Sequence, residues 1–74
     1  MTKEDRIKRI DMEAVALIKN LNKINTFIKT KGFNELDIIS KDLLLIQRNA
    51  METYRSCLMA RVTKLQQEIN NDNL

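Results

Sequence analysis

A chain of 74 residues, 43% apolar, 31% charged and 4% aromatic, makes one small domain with little interior, which excludes a large single-chain enzyme. With one Gly, no Pro, no His and no Trp, a loop-rich sandwich, a glycine-cradled phosphate site and imidazole chemistry all lack their material, and the composition is that of helix. The net charge of +3 and pI of about 9.2 permit only a weak attraction to nucleotides or nucleic acid. Split at Asn34, the first part holds eight basic and four acidic residues and the second five and six, so the positive excess lies towards the N-terminus. There acids alternate with bases through Lys3, Glu4, Asp5, Arg6, Lys8, Arg9 and Asp11, as on a solvated helix face, with Glu4 to Lys8 and Asp5 to Arg9 at the favourable i,i+4 spacing.

The first helix is predicted over about residues 3–31. Thr2 offers a hydroxyl to an orphan amide three residues on, and Glu4 and Asp5 suit the positive end of the helix dipole. Apolar residues then fall at Ile7, Ile10, Ala14, Leu17, Leu21, Ile24 and Ile28, the three-four alternation of a coiled-coil seam, with Val15 and Ile18 beside it. Gly32 stands where a left-handed C-terminal cap would need it, and Phe33 can fold back on the last turn. A connector over residues 32–37 leads to Asp37 as the cap of a second helix, with Ser40 as a competing start.

The second helix is predicted over about residues 38–69, followed by a frayed tail at 70–74. Its apolar side chains, among them Leu43, Leu44, Ile46, Ala50, Met51, Leu58 and Leu65, fill an arc of roughly 160° at 100° per residue. Two helices of roughly 40 and 48 Å joined by a short connector form an all-α helical hairpin, a single domain over residues 1–74. One antiparallel partner cannot cover so wide an arc, and below about 70 to 80 residues a lone core rarely supplies more than ~3 to 5 kcal/mol. The expectation is a homo-oligomeric bundle in which Ile7, Ile10, Leu17, Leu21 and Ile24 of the first helix, or Leu44, Met51, Leu58 and Leu65 of the second, are shared between copies.

Chemistry is sparse. Ser40, Ser56 and Cys57 have no histidine to activate them, so neither catalytic residues nor an enzyme are expected. A lone cysteine builds neither a disulfide framework nor a Cys/His zinc site, so no metal and no cofactor are expected. Met12, Met51 and Met59 are dispersed and read as gap-fillers or surface apolar residues, and Phe27 and Phe33 bracket the turn as core. No apolar run approaches the ~20 residues of a membrane span, and the charged N-terminus is no signal peptide.

The exception is a polar ladder within the apolar arc: Gln47, Tyr54 and Arg61, spaced seven apart. A buried amide or hydroxyl without a partner costs ~1 to 3 kcal/mol, and a lone guanidinium more, so each needs a partner, water or a ligand. Either Tyr54 and Arg61 edge an interface while Gln47 sets its register, or copies of the ladder line a pocket in which tyrosine stacks on a base and arginine clamps a phosphate.

The spaced set Phe27-Ile28, Phe33, Leu36, Leu43-Leu44, Gln47, Ala50-Met51, Tyr54, Leu58 and Arg61-Val62 resembles a family of small helical-hairpin proteins first catalogued from crAss-like bacteriophages. Members often carry Asp-Pro at the start of the second helix; here Asp37 is followed by Ile38. In plan, though not in motif, the chain is also similar to the anti-CBASS and anti-Thoeris sponges, oligomeric phage proteins that sequester cyclic nucleotide signals of bacterial immunity. These resemblances imply a phage accessory protein in the host bacterial cytoplasm. Its expected ligand is a cyclic nucleotide or cyclic ADP-ribose-type signal, bound between subunits by Tyr54, Arg61 and Gln47. The alternative is an oligomeric module that docks on and inhibits a host or phage protein through its apolar face. DNA binding is disfavoured by the modest charge and the lack of a recognition-helix pattern.

Overall fold

The computed structural model describes residues 1–72 as two long antiparallel helices joined by a helical turn: α1 (Lys3–Ile28), α2 (Lys31–Asn34) and α3 (Ile38–Asp72). The rod measures 57 × 18 × 15 Å. Each start is set by a side-chain cap. The Asp5 amide donates to Thr2 Oγ1 at 3.0 Å and the Thr2 amide donates back to Asp5 Oδ2 at 3.3 Å, a reciprocal capping box. At the start of α3 the Ser40 amide donates to Asp37 Oδ1 at 2.7 Å and its hydroxyl to Oδ2 at 3.0 Å. These bonds, the amide first, hold the Asp37 carboxyl below its ordinary value.

The turn is built differently from the expectation. α1 stops at Ile28, three residues early, and Gly32 is helical, with no glycine at positive φ among the described residues. Thr30 is the reason: in extended backbone (φ −95°, ψ 162°), its hydroxyl donates to the Phe27 carbonyl at 2.6 Å and accepts from the Phe33 amide at 3.4 Å. One residue thereby closes α1 and opens α2, and a left-handed glycine is not needed. Gly32 serves by being small, because a Cβ there would lie 3.3 Å from the Phe27 ring. Phe27 meets Phe33 edge to face at 6.3 Å between centroids, with the Lys41 ammonium 5.8 Å from the Phe33 ring. α3 continues through residues 70–72, part of the tail expected to fray, while residues 73–74 lie outside the described residues.

The seam between α1 and α3 is the core. Ile10, Ala14, Leu17, Leu21, Leu58 and Val62 are buried, with Ile7, Met51 and Leu65 packed against them; Ile24 and Leu44 are half-buried. The positions expected at a boundary between copies are thus those that join the two helices of one hairpin. At the open end, Lys3 bonds Asp72 at 2.8 Å and lies 3.8 Å from Glu68, a surface pair that marks the register more than it stabilises. None of the described helices is long and apolar enough to cross a membrane.

Leu58, with no exposed surface, is the residue on which the seam depends most. Leu58→Ala is expected to cost ~2–5 kcal/mol, enough to remove the cooperative urea transition of so small a core. Asp37→Ala is expected to lower the Tm by roughly 5 °C at neutral pH. Because the folded carboxyl has the lower pKa, this contribution is present above the unfolded pKa and is lost as pH falls through the folded one. The Tm difference between wild type and Asp37→Ala should therefore close in acid.

Candidate functional site

The ladder lies along the rim where α3 meets α1. At 100° per residue Gln47, Tyr54 and Arg61 each stand 60° from the seam residue three positions earlier, Leu44, Met51 and Leu58, so the ladder runs parallel to the core seam along its edge. All three are exposed, so none is a buried polar group in need of rescue. Gln47 and Arg61 are about 21 Å apart along the axis, with Tyr54 midway, so the three are a track and not one compact pocket. Gln47 makes only a 3.9 Å contact from Nε2 to Met51 Sδ.

Tyr54 is 42% exposed and its hydroxyl donates to the carboxylate of Glu13 on α1. This bond raises the phenol pKa above its ordinary 10.0, with desolvation and the negative charge of Glu13 acting the same way and Arg61 opposing them. Packing against the Glu13 side of α1 brings α1's basic residues to Arg61. Arg6 and Arg61 border an open concavity of about 220 Å³ with Lys64, Leu65 and Glu68. The same two arginines, with Met1, Arg9, Ile10 and Glu13, line a second of about 360 Å³.

Sequence spacing did not single out Arg6 and Arg9, which read there as members of an alternating surface. Their convergence with Arg61 is a non-local consequence of register, and the one local sign of it is the excess of bases in the first part of the chain. Asp5, the expected i,i+4 partner of Arg9, is occupied by the capping box. Among the described residues Arg6, Arg9 and Arg61 take part in none of the ion pairs, which involve Lys3, Lys31, Arg55 and Lys64. Unpaired guanidiniums in a shallow groove can grip a phosphate or carboxylate in bidentate fashion. The described residues contain no cluster of three or more His, Cys, Asp or Glu able to hold a metal ion. Cys57 is exposed and not the small core residue its apolar neighbours suggested.

The Tyr54 bond is testable in the free protein. A raised folded pKa means that the bond's contribution is complete below the unfolded value and is lost as pH rises through the folded one. Ultraviolet titration of the single tyrosine should place its midpoint above 10.0. Glu13→Gln should bring it down towards that value, and Arg61→Gln should move it further up.

The model of one protein family, Sequestin, matches residues 4–64. The matched span contains the whole seam up to Val62, both concavity-lining arginines of α1, and the ladder. No curated protein and no solved structure matches the chain.

Proposed function

The chain belongs to the Sequestin family, and on that premise we propose that it is a non-catalytic phage anti-defence protein that binds a cyclic nucleotide-type immune signal and withholds it in the host cytoplasm. The family's name is one of sequestration. The observation that carries the proposal is the meeting of Arg6, Arg9 and Arg61 in a groove whose Glu13 accepts the hydroxyl of Tyr54. The guanidinium forks take the phosphates and the face of Tyr54 takes a base, while Gln47, about 21 Å along the rim from Arg61, lies beyond the reach of the same ligand. A sponge needs affinity and not turnover, and this chain's supply of groups matches that need: charged forks and an aromatic plane, with no histidine beside a nucleophile.

The groove of one chain is open, whereas pockets for ligands of drug size enclose ~300–1,000 Å³ and cover most of the ligand. The remaining walls come from a second hairpin, so the bound signal lies between subunits. An inhibitory module docking on a host or phage protein through its apolar face would have no use for the three guanidiniums.

Calorimetric titration with a panel of cyclic di- and trinucleotides and cyclic ADP-ribose isomers tests the proposal. Uptake of one class is expected. Arg61→Gln, an exposed change that leaves the seam intact, should weaken it by roughly 10- to 100-fold, the worth of one charged hydrogen-bonding group. Silence across the panel with folded wild-type protein overturns the assignment.

A further inference from the structure

α3 carries a second apolar seam that the hairpin does not use. Ile39, Leu43, Ile46 and Ala50 follow a four-three spacing that Cys57 resumes one heptad on, past Thr53, and the five fall within a sector of about 60°, centred about 100° from the line of Leu44, Met51, Leu58 and Leu65. Ile39 is 72% exposed, Leu43 61% and Ile46 62%; Ala50 and Cys57 are exposed too. Between Ile39 and Cys57 no charged residue lies within the sector; Arg61, Lys64 and Glu68 enter it only beyond the end of the strip. A compact monomer of 8.7 kDa presents about 4,700 Å² to water. The hairpin presents 5757 Å², an excess of about 1,000 Å², which is close to the ~800 Å² each partner contributes to an interface of standard size.

We propose that this strip is the contact between two copies of the chain, pairing α3 with α3 antiparallel about a two-fold axis. A strip without charge has no like-sign pairs to repel when it meets itself, and an isologous contact closes, leaving no second face to propagate. The pattern of sizes selects the direction. Antiparallel pairing about the midpoint of the strip sets Ile46 against Ala50 and Ile39 against Cys57, large against small at each layer, so the backbones approach closely. Parallel pairing would set Ile46 on Ile46 and Ala50 on Ala50, a crowded layer beside an empty one. In the antiparallel register the start of the second copy's α3 runs past Cys57, alongside Tyr54. The dimer thus reaches the ladder from the solvent side, but the contact needs no nucleotide and stands independently of the ligand assignment.

Sedimentation equilibrium of the ligand-free protein at micromolar concentration should give twice the chain mass of 8.7 kDa. The double variant Leu43→Glu, Ile46→Glu should give the single mass with undiminished helical circular dichroism, because both side chains face water in the lone hairpin. The direction is read by disulfides. Ile39→Cys, facing Cys57 of the other copy, should cross-link on mild oxidation, and wild type should not. A monomeric wild type, a double variant that stays dimeric, or a wild type that cross-links through Cys57 alone would each overturn the proposal.

Discussion

Everything in this protein depends on one strip of contact, the line from Ile10 to Leu21 on α1 against Leu58 and Val62 on α3. The six side chains buried among the described residues are few, and all belong to one seam between two rods. A misplacement by one helical turn would move every layer together, since among the described residues no sheet and no third long helix cross-checks the register. The polar features hold that register from outside the seam. The Thr2 capping box and the Asp37 cap fix where the two long helices begin, Thr30 fixes where the chain turns, and Tyr54 reaches across to Glu13. The apolar spacing of α1 favours contact with α3, and these local bonds select one alignment.

That alignment is also what assembles the chemistry. Arg6 and Arg61 are 55 positions apart in sequence, yet they border the same two concavities, because the layer that packs Ile7 and Ile10 near Val62 brings their polar neighbours together on the rim. A groove made this way is cheap for so small a protein. Among the described residues no charged side chain is buried and none of the three arginines is held in an ion pair, so the guanidiniums stay hydrated until something replaces their water. Positive charge that looks diluted along the sequence is concentrated in space.

The sequence was informative where the relevant physics is periodic or local. The three-four spacing of α1, the Thr2 cap and the Asp37 cap are read from neighbouring residues and appear as such in the structure. Gly32 misled because a glycine after a helical run most often supplies a left-handed cap, whereas here the hydroxyl two residues earlier does the closing. The apolar arc of α3 was legible in extent but not in its division. From sequence it is one wide arc; packed against α1 it separates into a covered line and a bare one, with Gln47, Tyr54 and Arg61 running along the boundary between them. Arg6 and Arg9 were not legible as a site at all, since their significance is a property of the register and not of their spacing.

The clamp of Lys3 on Asp72 and Glu68 puts both ends of the described chain at one pole of a rod 57 Å long, with the phenylalanine turn at the other. The arginine groove opens at that same pole. Anything appended ahead of Met1, which lines one of the two concavities, an affinity handle or a fluorescent label, therefore sits over the groove's mouth. A probe meant to report without obstructing belongs at the far pole, on the solvent side of Asn34 or Glu35.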